Sequence, residues 1–443
     1  MSTISRRRFL PTAAAGLASI SSARGAMKII GIETHEILPP YHDHNARWLG
    51  RYQGVGVQTR TIYIVKTDSG LEGLGEAWGR ADSWGSFERY IGTDPFDWVG
   101  SYDGLPMNMA MYDLMGKHLG IPMWKLIGPK VRDWAPVAAW TVSQPPEAMA
   151  EEVRSVTARG YRWIKYHVDT FQNVVEQTEA MQKVAPPGFK VHYDFNANSD
   201  LAVILPILEE LQKFRIAGRF EDPLRGADRE GYRSLRPKIK LPLLVHHAPI
   251  EDFMVERLVD GVMGGHSPMG LSMKYASIAE ATHTPFFLQQ CGGTINQAFS
   301  VQQAAVFKMA TLPQVNLCHL WKDDVTAETM PVINGSVQVL NKPGLGVSLD
   351  RRKLETYEKT ARPKLPRFLV RMRYRGGPYI YFRRDPDKPG PGLSFWDGGK
   401  FPGPVPGYAN PVDTDFWDDD GTADFERLWK QAESGPAWTP AGG

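Results

Sequence analysis

Cysteine is scarce in this 443-residue chain, with only Cys291 and Cys318 present. Two thiols cannot build a disulfide framework, so stability must come from apolar burial, and both are read as buried free thiols. Net charge is equally scarce. Fifty-one basic against 49 acidic side chains leave +2, and so weak a global field excludes an electrostatic footprint for nucleic acid or an acidic polymer. A small anionic substrate needs only local charge and stays open. Long apolar runs are also missing. The stretch "PTAAAGLASI" (11–20) is too short and too weakly hydrophobic to span a bilayer, and no other segment does better, so no permanent membrane anchor is expected. Glycine (43) and proline (34) are plentiful, in a globular composition of 42% hydrophobic residues. The length calls for two domains plus tails.

The first 26 residues stand apart. "SRRRFL" (5–10) pairs arginines with Phe and Leu, and a mild apolar run and small residues follow up to Ala26. That layout resembles a twin-arginine export signal and predicts an exported, periplasmic protein. After it, "MKIIGIETHEIL" and "TRTIYIVKTDSG" alternate polar and apolar residues at period two, which predicts antiparallel strands. Residues 107–128 show helical spacing and stop at Gly and Pro.

From about residue 135 short apolar runs alternate with amphipathic segments. The strand-end residues Lys165, Asp194, Glu221 and His247 follow one another at 29, 27 and 26 positions, one strand–helix unit per step. Repeated units of this kind predict a parallel sheet with right-handed crossovers, and seven or eight of them favour a (β/α)8 barrel. Residues 368–384 read as a hairpin turning at Gly-Gly, followed by Pro/Gly-rich coil, an acidic patch and a short helix. The expected division is a signal (1–26), an α+β domain (27–134), the barrel (135–340) and a carboxy-terminal part (341–443).

Functional side chains of a barrel lie at the carboxyl ends of its strands. In "WIKYHVD" (163–169) Lys165 and His167 are two apart on one strand and point the same way, into the barrel mouth. His167 titrates near neutrality, and a lysine near a divalent cation can act as a base of lowered pKa or as an electrostatic clamp. Asp194 in "HYDFNAN" and Glu221 in "RFEDP" can converge on one hard cation. A lone Asp after a strand is often a helix N-cap. Two acids at matched spacing, followed by His247, point to a metal site instead. In "LLVHHAP" adjacent histidines of one strand face opposite ways, so one of His246 and His247 is expected at the site. An imidazole ligand would shift preference from Mg²⁺ toward Mn²⁺, Fe²⁺ or Zn²⁺. The loop 39–54, with His42, His44, Arg47, Trp48 and Arg51, reads as a lid over a polar anionic substrate or as a solvated surface loop.

Three segments carry a family resemblance: "VKTDSGLEGLGEAWG" (65–79), "AMYDLMGKHLGIPMWKLIGPKVRD" (110–133) and "KPGLGVSLD" (342–350). With them the chain resembles, over residues 27–360, a divergent member of the enolase superfamily, mandelate racemase/muconate lactonizing branch. The resemblance implies a modified TIM barrel under an α+β capping domain, completed by segments after the barrel, with residues beyond 360 as an extension outside the match. It implies a divalent metal, Mg²⁺ by family default, and a base that removes the proton α to a carboxylate. Lys165 matches the first lysine of the family's Lys-x-Lys, and His167 stands where the second is usual. Asp194 with Asn196 matches the Asp-x-Asn of the third strand, with Asn196 toward the substrate. Glu221 matches the fourth-strand ligand, and His247 stands at the fifth-strand glutamate. Homo-oligomers are common in the family. The chain departs from the racemase pattern on the other wall. The sixth strand has no aspartate and only His266 nearby, the seventh has Gln289 and Gln290, and the eighth has Cys318 and His319. With proton-transfer candidates on one face, two-base racemisation is disfavoured. The expected activity is that of a metal-dependent lyase, a dehydratase-type β-elimination on a hydroxy acid or sugar-derived acid, with catalytic Lys165 and His167, metal ligands Asp194, Glu221 and His247, and substrate contacts at His44, Arg47, Trp48 and Asn196. Isomerase, epimerase or cycloisomerase chemistry on the same scaffold, or an exported binding protein that has lost the activity, are the alternatives.

Overall fold

In a computed structural model of the chain, residues 27–53, 58–80, 86–375, 377–386, 408–409 and 411–440 are described, without the side chains of residues 52 and 53. The export-signal reading of residues 1–26 lies outside them.

The first described elements are β1 (Ile29–Ile37), α1 (Asp43–Gln53), β2 (Arg60–Thr67) and β3 (Glu72–Trp78), the strands forming an antiparallel sheet in the order β1-β2-β3. Helix α2 (Leu105–Leu119) lies directly on β3. Gly73 and Gly75 make this possible, because a methyl group there would run into the carbonyls of Ala110 and Pro106. The helical stretch expected over 107–128 is two helices, α2 and α3 (Trp124–Ile127). Gly120 takes the left-handed conformation (φ 71°), its N–H closes the α2 terminus on Gly116 and Lys117, and Pro122 prevents resumption.

Eight parallel strands follow, with helices between them: β4 (Trp134–Val142), α4 (Pro146–Ala158), β5 (Trp163–His167), α5 (Val174–Val184), β6 (Lys190–Asp194), α6 (Leu201–Leu211), β7 (Ala217–Glu221), α7 (Arg229–Leu235), β8 (Leu243–Val245), α8 (Ile250–Val255), β9 (Gly261–Gly265), α9 (Met269–Thr282), β10 (Phe286–Gln289), α10 (Thr294–Ala304) and β11 (Gln314–Val315). Each strand pairs with its neighbour, and β11 returns to β4 through Gln314↔Val137 and Val315↔Ala138, closing the barrel. The fold is thus a closed TIM-type barrel of eight parallel strands with seven intervening helices, a modified form of the (β/α)8 barrel, with an antiparallel capping sheet. β12 (Ser336–Gln338) runs antiparallel to the start of β4.

The cap is joined to the barrel by buried charge. The Arg60 guanidinium donates to Glu76 Oε1 at 2.5 Å and Asp324 Oδ1 at 2.8 Å, while Glu76 accepts the backbone N–H groups of Gly293 and Asn296 at 2.8 and 3.0 Å at the start of α10. After β12 the chain returns to the cap. Asp113 of α2 accepts the N–H of Leu345 at 2.8 Å and that of Leu74 at 2.9 Å, and α11 (Arg351–Glu358) sends the Tyr357 carbonyl to the Leu38 N–H at 3.0 Å.

The last part forms a separate antiparallel sheet from β13 (Phe368–Tyr374), β14 (Tyr379–Arg384), β15 (Val412–Asp418) and β16 (Ala437–Thr439), in the order β15-β13-β14-β16, with α12 (Ala423–Gln431). Strand alternation gives it two apolar faces. Phe368, Val370, Met372, Ile380, Phe382 and Val412 pack with Leu49, Trp140 and Phe171 at the barrel mouth. Leu369 and Tyr381 on the other face pack on Phe425 and Leu428 of α12. The acidic patch at 415–420 is largely paired: Asp415 with Arg371, Asp418 with Arg51 and Asp419 with Arg367.

Candidate active site at the barrel mouth

Strand register builds the site. His167, Asp194 and Glu221 are successive partners across β5, β6 and β7, and one rung below them stand Lys165, His192 and Arg219. Because the side-chain period of a strand is two, all six point into the barrel. Each strand thus carries an ionisable pair at i and i+2: Lys165/His167, His192/Asp194 and Arg219/Glu221.

Lys165 is fully buried. Its ammonium donates to Glu221 Oε1 at 2.8 Å and Gln289 Oε1 at 2.7 Å and lies 3.0 Å from Asp194 Oδ2. Burial disfavours the charge, but the Asp194 and Glu221 carboxylates outweigh it and raise its pKa above the ordinary lysine value. Of the two roles open to this lysine from sequence, the geometry is that of the clamp on two carboxylates. His167 lies 3.4 Å from Asp194 Oδ2 and receives the Trp140 indole N–H at 3.4 Å. Burial lowers its pKa to about 4, so the imidazole is neutral and can accept a proton.

Below them, the Arg219 Nε–H donates to His192 Nδ1 at 2.9 Å, with the guanidinium over the Trp163 and Phe287 rings at 4.8 and 4.9 Å. His192 Nε2 lies 2.7 Å from Glu221 Oε2, out of hydrogen-bond alignment. Burial drives the His192 pKa well down and that of Arg219 down to about 9. Of this lower rung, sequence reasoning named Lys165 and missed His192 and Arg219. The repeated i, i+2 pattern on three consecutive strands was their available signal.

Asp194, Glu221 and Asp222 offer carboxylate oxygens all within 4.8 Å of one another, and Glu221 Oε2 is buried without a hydrogen bond. Oxygen donors so arranged fit a hard divalent cation. Asp222 was not expected from sequence. It takes a left-handed backbone (φ 47°), and its carboxylate accepts the N–H groups of His246 and His247 at 2.8 and 3.0 Å and His247 Nδ1 at 2.6 Å. This bond raises the His247 pKa. The ring of His247 therefore bonds to Asp222, not to Asp194 or Glu221, and His246, His247 and Asp222 form a second donor set of the same compactness. The expectation that His246 and His247 face opposite ways is corrected. Strand β8 ends at Val245, alternation stops there, and both rings line the cavity with centroids 4.1 Å apart.

A cavity of about 260 Å³ opens above the second to seventh strands, walled by His167, Asp194, Asn196, His246, His247, His266, Gln289 and Cys291 and flanked by Trp140 and by Trp78 of the cap. The Asn196 N–H donates to Asp194 Oδ1 at 2.9 Å, with the residue in a left-handed conformation at φ 54°. His44, Arg47 and Trp48 do not reach this cavity. They lie on α1, a helix where a lid loop was one reading, and line a separate groove of about 460 Å³ with Glu147 and Glu151. There His44 Nε2 meets Gln144 Oε1 at 2.8 Å and Glu152 Oε2 at 3.2 Å. Among the described residues, the cap contributes Trp78 to the cavity lining instead.

The family model described as "Enolase C-terminal domain-like" matches residues 148–353. Among curated proteins, D-gluconate dehydratase of Thermoproteus tenax is 29% identical over 57% of this chain, which spans only 55% of that protein's length. D-xylonate dehydratase of Haloferax volcanii is 25% identical over 66% of this chain and 84% of its own. Among solved structures, muconate cycloisomerase from Pseudomonas fluorescens superposes with a TM-score of 0.61 at 22% identity, over 76% of this chain and 100% of that one, a likeness of fold. The family model seated on the barrel and the sugar-acid dehydratase relatives, with a capped-barrel fold shared with the cycloisomerase, together support an enolase superfamily member of the mandelate racemase/muconate lactonizing type.

Proposed function

We propose that the chain is a divalent-metal-dependent lyase that removes the proton α to the carboxylate of a sugar-derived hydroxy acid and expels the β-hydroxyl as water. The observation that carries this reading is the upper rung itself: a neutral His167 in the cavity wall, one register step from Asp194 and two from Glu221, with Lys165 clamped below. Asp194, Glu221 and Asp222 would hold the ion, with His247 behind Asp222, and when bound it supplies positive charge for the substrate carboxylate. His167 accepts the α-proton. Lys165 keeps the two carboxylates in place and offsets their repulsion. Asn196 offers its amide to the substrate hydroxyls. The dehydratase relatives support the elimination over the isomerase alternative.

The test is to incubate the purified chain with D-gluconate, D-xylonate and D-galactonate in Mg²⁺ or Mn²⁺ and assay the 2-keto-3-deoxy product. Activity is expected with at least one acid, lost on chelation, restored by metal and abolished in His167→Ala. Neither product nor α-proton exchange with any acid would refute the reading. The export reading is a separate proposal resting on residues 1–26. Fused to a reporter in a bacterium, that segment should deliver it to the periplasm, and replacing Arg6, Arg7 and Arg8 together by Lys should stop it.

A further inference from the structure

We propose that Cys291, positioned by His266, is the proton donor to the departing hydroxyl, acting from the wall of the cavity that faces His167. This rests on the lyase reading above and goes beyond it, since that reading leaves the leaving group without an acid.

Position is the first support. In an eight-stranded ring β5 is the second strand and β9 the sixth, so the two are diametrically opposed, with β10 beside β9. His167 ends β5, His266 follows β9 and Cys291 follows β10, and all three line the same cavity. A small acid bound there has His167 on one side and Cys291 on the other. The second support is the pair itself. Cys291 Sγ lies 3.8 Å from His266 Nε2. His266 is held at an uncommon left-handed backbone (φ 47°), its N–H donates to the Gln289 carbonyl at 2.8 Å, and its ring packs on Trp78 at 6.2 Å. A non-glycine residue kept in that conformation at a cavity wall is a typical site of functional strain. The third support is protonation state. Burial pushes the Cys291 thiol up to about 12 and His266 down to about 4, which leaves a neutral S–H beside a neutral imidazole. Such a thiol is a poor nucleophile and stays protonated at neutral pH, so the proton is present on the wall and the case for its transfer rests on position.

The step balances. His167 takes the α-proton, and the C–H electron pair becomes the C=C bond as the β C–O bond breaks. The oxygen leaves with its electron pair, takes the thiol proton and departs as water. The thiolate regains a proton and His167 loses one to solvent, and the enol product tautomerises to the 2-keto acid. With base and acid on opposite walls, the hydrogen and hydroxyl leave from opposite faces of the substrate.

The experiment uses the metal-loaded full chain and whichever of D-gluconate, D-xylonate and D-galactonate the wild type turns over, in D₂O. NMR reads 2-keto-3-deoxy product and deuterium at C2 of recovered substrate. Cys291→Ala and Cys291→Ser should form product about 100-fold or more slowly, the usual worth of a general acid, yet wash deuterium into C2, because abstraction then reverses. His266→Gln should shift the exchange-to-elimination ratio the same way by a smaller factor, which a purely structural loss would not do. His167→Ala should do neither reaction. Wild-type elimination in both Cys291 variants, or loss of exchange together with elimination in them, overturns the assignment while leaving the lyase reading intact. A wild type that neither exchanges nor eliminates with any of the three acids refutes the lyase reading, and this inference with it.

Discussion

Replacing Lys165 by Met keeps most of the side-chain volume and removes the ammonium, which tests whether this lysine holds the carboxylate cluster together. The ammonium is buried against Glu221 at 2.8 Å, Asp194 at 3.0 Å and the Gln289 amide oxygen at 2.7 Å. Its removal leaves Asp194 and Glu221 buried with a carbonyl oxygen that has lost its donor. Breaking a buried ion pair from one side costs about 3–5 kcal/mol, a large share of the ~5–15 kcal/mol that stabilises an ordinary domain. Equilibrium urea unfolding in EDTA, followed by circular dichroism, should show the loss directly. The same change removes the cation that competes with a metal for those oxygens. Mn²⁺ should therefore bind Lys165→Met about tenfold more tightly, equivalent to about 1.4 kcal/mol, as read by isothermal titration calorimetry. Metal at about 100 times its dissociation constant should restore about 2.7 kcal/mol. A variant as stable as the wild type in EDTA, or one with weaker Mn²⁺ binding, would refute the clamp.

Three further outcomes follow from particular contacts. Burial disfavours a charged His44, but the Glu152 hydrogen bond and charge prevail and raise its pKa above 6.5. Burial likewise raises Glu152, but His44 and Asn45 pull it below 4.5. The His44 contribution is complete below its unfolded pKa and is lost as pH rises through its folded value, while that of Glu152 is complete above its unfolded pKa and is lost as pH falls through its folded value. His44→Gln should therefore cost more stability at about pH 5.5 than at about pH 8.5, measured by urea unfolding at both. Phe171 is 2% exposed and meets Phe382 edge-on at 5.1 Å. Phe171→Ala should cost about 3–5 kcal/mol and speed proteolytic release of the carboxy-terminal sheet, as read by mass spectrometry. A methyl on Gly116 would stand 2.6 Å from Gly344 Cα and 2.8 Å from the Ile121 carbonyl oxygen, neither of which can turn aside. Gly116→Ala should cost about 1–3 kcal/mol by overpacking, seen as a lower denaturation midpoint.

The barrel, its strand-end residues and the upper rung of the site were legible in the linear sequence, because strand period and βα spacing are local properties that each segment carries by itself. The spacing of Lys165, Asp194, Glu221 and His247 sufficed to place four successive strand ends. What lay outside those local rules went unread. Asp222 reaches the site by a left-handed turn that no strand pattern announces, and His246 joins the expected His247 in the cavity because both follow the end of a strand, where alternation no longer applies. His44, Arg47 and Trp48 had the composition of a lid, yet they sit on a helix facing Glu147 and Glu151, because Gln144 at the β4–α4 turn and Glu152 within α4 hold His44 there. The meeting of Cys291 with His266, the lining of the cavity by Trp78 and the docking of the 368–439 sheet on the barrel mouth join residues far apart in sequence. Period and composition determine what each segment becomes. Which charges share a buried space, and so hold or move a proton, was decided only by closing the barrel under its cap.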